Sequence, residues 1–256
     1  MRLRRITEHM RTHNWTAVFI DFVIVVLGVF VGVQVDSWWD NRSNARKERA
    51  YLLELKEDFA QIIQELEGDS GEYEMTAVAM VALLQESHRD APAMSVAELN
   101  HNVGRLIYMV GTPIVADTYT NLTGSGDLAL IRSQELKNAL ASFYASSDTV
   151  QLVSNTHEMQ LVNIFQPYIM KNLDYIAIFD EHRRVPNIKE TQAAARATLP
   201  AAFEESRILG VLSSPEFRNV VTIKWDISTD LLDTLGGALE RAHAVDALLD
   251  QELARP

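Results

Sequence analysis

Apolar residues are laid out in two ways along this chain. Between positions 15 and 35 they are almost continuous: WTAVFIDFVIVVLGVFVGVQV, with 22–33 unbroken. Beyond position 40 they recur at helical spacing, with polar residues between them. The first pattern predicts a helix with no polar face. Its 21 residues at about 1.5 Å each reach about 31 Å, against a bilayer hydrocarbon core of about 30 Å. Trp15 marks one end and Trp38 with Trp39 the other, as aromatic belts do at the two headgroup layers. A buried core helix is rarely apolar on every face over such a length. A cleaved signal peptide needs a small-x-small site, which Val35-Asp36-Ser37-Trp38-Trp39 does not offer. The expectation is an uncleaved transmembrane anchor over 15–35, after a short basic tail over 1–14.

One stripe of this helix departs from the apolar rule. At about 100° per residue, Asp21, Gly28 and Gly32 fall within about 40° of one another, and Asn14, Ala17, Val25, Val35 and Trp39 extend the same line. Gly28-Val29-Phe30-Val31-Gly32 is a GxxxG pattern, which lets two helix backbones approach closely in lipid. A carboxylate at that depth costs about 2.5 kcal/mol or more, so Asp21 either faces protein or lies shallow and snorkels to the interface. The packing reading predicts a homo-oligomer held through the anchor.

The second pattern predicts helices nearly throughout 36–256, with 11 glycines and 7 prolines mostly between periodic stretches. Leu52, Leu55, Phe59, Ile62, Ile63 and Leu66 mark a helix continuing from the anchor, with the Asp40-Asn41 region as a point of interruption and Gly68-Asp69-Ser70-Gly71 as its end. A second helix follows over 72–88. Ser95 to Glu98 is a capping box opening a third, which reaches about Val110, and 114–122 is a short fourth. Ser133 caps a long helix that Pro167 kinks or ends. Tyr175 to Phe179 reads equally as strand or helix. Ser214-Pro215 starts a last helix reaching Leu253, with Gly236-Gly237 as a potential interruption. The fold class is all-α: an N-terminal transmembrane helix continuing into a helical bundle, the C-terminal helix packing on the post-anchor helix.

Charge narrows the partners. Positions before 36 hold two acids and four bases, so 36–256 carries 33 acidic and 19 basic residues, net −14. Such a surface repels nucleic acid and anionic headgroups. Cysteine is absent, which excludes disulfides and thiol catalysis. His9, His13, His88, His101, His157, His182 and His243 form no zinc-type spacing. His157-Glu158 and Glu181-His182 are adjacent pairs that point about 100° apart on a helix, so they read as solvated or locally bonded rather than as metal ligands. No nucleophile elbow, P-loop or dinucleotide fingerprint occurs, and no spacing assembles a nucleophile, base and orienter. No catalytic residue, cofactor or metal is predicted. Thr123-Gly124-Ser125-Gly126-Asp127, the one glycine-rich loop, lies between helical patterns and reads as a turn and helix C-cap. Asp117, Tyr119 and Asn121, with Arg132, either line a pocket or form an ordinary amphipathic turn.

Asn14-Trp15-Thr16-Ala17-Val18, followed by IVVLGVFVGVQV and Trp38, resembles the N-terminal anchor of a group of uncharacterised bacterial single-pass membrane proteins. Ser125-Gly126-Asp127-Leu128-Ala129-Leu130-Ile131-Arg132, with Glu135-Leu136 and Phe143-Tyr144, is similar to a second block of that group. The resemblance implies an inner-membrane protein and carries no reaction, ligand or catalytic residue with it.

Four bases flank the anchor on each side (Arg2, Arg4, Arg5 and Arg11; Arg42, Arg46, Lys47 and Arg49), so the positive-inside rule is undecided. A short tail before a first span and a long domain after it point to a cytoplasmic tail and a periplasmic domain. The expected function is a membrane-anchored interaction or scaffold protein, not an enzyme. The alternative is a ligand-sensing extracytoplasmic domain that signals through a partner, since a tail this short cannot hold an output domain.

Overall fold

The computed structural model describes residues 15–111, 114–175, 177–178, 189–198 and 201–255, without the side chains of 15–18, 33, 36–37, 189, 192, 195–196 and 201–206. The basic tail, the Trp15, Asn14 and Ala17 side chains, Ile176, Phe179 and the Glu181-His182 pair lie outside this description. Every regular element among the described residues is helical, and two compact units divide the chain, Met1–Leu53 and Glu54–Pro256.

The first helix, α1, runs from Trp15 to Glu86. Between Phe19 and Val31 most of its apolar side chains are open to the surroundings: Phe19 is 66% exposed, Leu27 55%, Val29 64% and Phe30 62%. Asp21, Gly28 and Gly32 are exposed as well, and a methyl group at either glycine would meet nothing within 4 Å. Among the described residues no helix is long and apolar enough to cross a membrane. The expected span over 15–35 is not shown among them.

The second unit follows a different rule. Along α1 the buried seam positions are Leu55, Phe59, Ile62, Leu66, Tyr73, Thr76, Met80 and Leu83, separated by three, four or seven residues. Steps of three, four or seven also separate Leu136, Leu140, Phe143, Val150 and His157 on α4 (Gln134–Gln160). They recur at Val221, Lys224, Ser228, Leu231, Leu235, Ala238, Ala242, Val245 and Leu249 on α8 (Pro215–Leu253). This is the seam pattern of a coiled coil. Phe59 packs edge-on against Phe143, and Tyr73 against His157, each fourteen residues further along, so α1 and α4 run parallel. Lys56 bonds Asp246 at 2.8 Å and Asp250 at 2.7 Å, whereas Lys224 meets His157, so α8 runs antiparallel to both. The expected packing of the last helix on the post-anchor helix is present.

Shorter elements close one end of this three-helix seam. They are α2 (Val96–Gly104) with a 3₁₀ turn Arg105–Ile107, α3 (Asp117–Ser125), a 3₁₀ turn Asp127–Leu130, α5 (Gln166–Asn172), α6 (Lys189–Arg196) and α7 (Ala201–Leu212). Leu99, Val103, Phe165, Ile169, Ile178 and Phe217 form the core with Met80 and Leu83 of α1. Gly104 is required in this core: a Cβ there would collide with the Ile178 carbonyl oxygen.

Three predicted caps are present. The Ser95–Glu98 capping box is complete, Ser133 accepts from Leu136 N, and Ser214 accepts from Phe217 N. Gly126, at φ 82°, takes the left-handed C-cap position of α3, as its loop was read. The predicted interruptions are not. Helix α1 passes without a break through Asp40-Asn41 and 68–71, and α8 passes through Gly236-Gly237. A helical glycine costs about 1 kcal/mol, which the seam side chains on either side outweigh. The third helix ends at Gly104 rather than near Val110, and the fourth begins at Asp117 rather than Ile114. Pro167 sits in the first turn of α5, after a π-turn over Leu161–Phe165 that accommodates its missing N–H. Tyr175, Ala177 and Ile178 are in turns, neither strand nor helix.

Candidate functional site

Three polar side chains meet in the mostly apolar seam at one level: Tyr73 of α1, His157 of α4 and Lys224 of α8. His157 and Lys224 are 0% exposed and Tyr73 is 1% exposed. Each occupies a regular seam position, so helix periodicity alone turns all three inward. Lys224 Nζ lies 2.6 Å from His157 Nε2 and donates to the Tyr108 carbonyl at 2.7 Å. Its remaining side is covered by the Phe165 ring, 5.2 Å away at the centroid. Tyr73 Oη donates to the Val110 carbonyl at 2.6 Å and lies 3.3 Å from His157 Nδ1.

These distances set the direction of the chain. The single phenolic proton of Tyr73 goes to the shorter contact, Val110. His157 Nδ1–H therefore donates to Tyr73 Oη, Nε2 is bare, and Lys224 Nζ donates to it. The result is a continuous relay from α8 through α4 to α1, whose two outer members both hold the backbone of Tyr108–Val110. Among the described residues no carboxylate bonds to Lys224 or His157. The nearest ion pair is one step away, where Arg105, buried and stacked over the Tyr108 ring, bonds Glu72 at 2.9 Å.

Burial without a counter-charge disfavours every charged form here. Burial, then the Lys224 charge, pushes His157 down to about 3. Burial, then Arg105, pushes Lys224 down to about 7. Burial raises the Tyr73 phenol, against the opposing effect of its bond to Val110. A buried amine near neutrality resembles a nucleophile or base in these respects, but a side chain wholly shut off from solvent has no route to a substrate. What the arrangement can do is bind a loop and respond to protons.

Two open grooves lie nearby. One, of about 480 Å³, has an apolar floor of Met75, Val78, Ala79 and Ala82 from α1, with His101 and Arg105 opposite. The other, of about 360 Å³, lies between Met109, Gly111 and Ile114 and a polar row on α4 that includes Ser147, Asp148, Gln151 and Glu158.

The residues singled out from sequence sit elsewhere. Asp117, Asn121 and Arg132 are exposed, and neither groove is lined by them. Tyr119 stacks on Tyr144 with ring centroids 4.3 Å apart, and Tyr144 Oη donates to the Val115 carbonyl. Asp117 reaches this pair only as one of the charges that raise the Tyr144 phenol, after burial and Asp58. His157 is neither solvated nor locally bonded, because its partners come from two other helices. Lys224 and Tyr73 went unnoticed in the sequence. A lysine inside a strict three-four run of apolar residues was the available signal. No group of three or more His, Asp or Glu that could hold a metal occurs among the described residues.

No family model, no curated protein and no solved structure matches this chain.

Proposed function

We propose that the protein is a membrane-anchored helical interaction or scaffold protein rather than an enzyme. It is a single-pass protein of the bacterial inner membrane: residues 15–35 cross the bilayer, the tail is cytoplasmic and the acidic helical domain is periplasmic. It pairs with a second copy through Asp21, Gly28 and Gly32. One observation carries this reading: between Phe19 and Val31 the apolar side chains of α1, apart from Val23, are about half or more exposed, with nothing among the described residues over them. In water such a surface is costly at about 25 cal/mol per Å². In lipid it is the ordinary state of a helix. Confinement to the membrane plane then raises the concentration of the domain toward its partners. The bare Gly28 and Gly32 positions leave room for close approach of a second helix.

The experiment is fractionation with alkaline carbonate, with reporter fusions at each terminus. The protein stays in the membrane pellet, and only the C-terminal reporter is active in the periplasm. Release into the supernatant would overturn the anchor, and a cytoplasmic C-terminal reporter would overturn the sidedness. Gly28→Ile with Gly32→Ile lowers self-association of the segment in a membrane reporter assay; unchanged association removes the pairing face.

The polar groove between Met109–Ile114 and α4 favours a second reading, a ligand-sensing domain that reports through a partner protein. A small polar ligand seated there raises the melting temperature of the protein by mass action.

A further inference from the structure

We propose that Lys224, His157 and Tyr73 form a proton-operated latch, which clamps the Tyr108–Val110 strap across the helix seam and lets go of it in acid. Among the described residues the strap is the backbone to which the relay donates. Lys224 holds its first carbonyl and Tyr73 its last, and His157 joins the two clamps without bonding the strap itself. His157 is therefore the control point. With Lys224 charged, its bare Nε2 is the site in the relay that can take a further proton. An added proton there faces the ammonium of Lys224 at 2.6 Å, so one of the two side chains must swing away, and with it a clamp.

The surroundings do not neutralise that second charge. From α1, Tyr73 faces the relay, with Asp69 acting on its phenol and Glu72 engaged by Arg105. From the turn and strap come Arg105, a further cation, and the neutral Tyr108. From α4 comes only His157 and from α8 only Lys224. After α4, Phe165 contributes a ring face and no charge. The cluster thus holds two bases, an arginine already paired and, among the described residues, no carboxylate bonded to either base.

The sign follows from the same geometry. Both bases have their affinity for protons lowered in the closed form, His157 to about 3 and Lys224 to about 7. An open form, in which water reaches the ring, recovers an ordinary histidine near 6.5. Opening therefore takes up a proton, and between about pH 6.5 and 3 each unit of acidification shifts the balance about tenfold toward the open strap. The freed strap also forms one wall of the polar groove through Met109, so acid would remodel that groove.

The test is amide hydrogen exchange on the full-length chain, corrected for the intrinsic pH dependence of exchange. Protection of the amides of 108–110 falls about tenfold per unit between pH 6.5 and 4.5, while amides over 231–249 of α8 keep theirs. His157→Gln, which retains an acceptor for Lys224 but cannot be protonated, flattens that slope. Strap protection that does not change with pH overturns the latch. So does equal loss over 231–249, which is general unfolding, or an unaltered slope in His157→Gln. Should that variant not fold, the ring nitrogen shifts of His157 in the unaltered protein decide. A neutral ring protonated at Nδ1 down to pH 5 supports the latch, and an imidazolium at pH 6 overturns it.

Discussion

Helix α1 contains two apolar stretches of different patterning and opposite fate. In 19–31 the apolar residues are consecutive and exposed. In 55–83 Leu55, Phe59, Ile62, Leu66, Met80 and Leu83 recur along one stripe and are fully buried, while Met75, Val78 and Val81 off that stripe stay exposed. Secondary structure is the same in both, so local conformation does not separate them. What separates them is the number of apolar faces. A stripe one face wide is satisfied by two other helices, and α4 and α8 carry the matching stripes. An apolar surface on every face cannot be satisfied by so few neighbours and calls for a solvent that is itself apolar.

That contrast can be broken from either side. The largest effect is expected at Phe59, whose ring packs on Phe143 with 0% exposure. Phe59→Ala should lower the unfolding free energy by about 3–5 kcal/mol in denaturant titrations and leave carbonate extraction unchanged. The converse substitution lies in the exposed stretch. Val26→Lys should leave the denaturation midpoint of the helical domain in place and weaken membrane insertion by about 2.5–3.5 kcal/mol, read as a shift from pellet to supernatant. A Val26→Lys protein that denatures earlier would show that 19–31 belongs to a folded core after all. The third effect is smaller and sharpens the comparison within the seam itself. Tyr73→Phe keeps the ring but leaves the Val110 carbonyl and His157 Nδ1–H unpartnered, at a cost of about 1–3 kcal/mol by chemical denaturation.

What could be read in the sequence was local. The caps at Ser95, Ser133 and Ser214 and the left-handed Gly126 each depend on groups within three residues, and all four were legible. The glycines at 68, 71, 236 and 237 were misleading for the converse reason. Their turn propensity is a local preference, and the seam that overrides it is built from residues on three separate helices. The relay was hidden more deeply still. His157 and Lys224 are 67 positions apart and His157 and Tyr73 are 84, so only a three-dimensional register brings them together. Reading His157 with its neighbour Glu158 looked along the chain where the partners lie across it. Counting steps of three and four on all three helices would have placed both His157 and Lys224 in the interior. The polar stretch around Asp117–Asn121 attracted notice by composition alone, and most of its side chains face solvent.

The glycines inside the long helices have one more consequence. A methyl group added at Gly68, Gly71 or Gly236 would meet open space, and none of the three needs a left-handed backbone. Each one leaves the denatured polypeptide freer than the native architecture demands, by about 0.4–1 kcal/mol relative to alanine. The molecule therefore operates below the thermal endurance its own scaffold could reach, and three alanines would close part of that gap without altering a single contact.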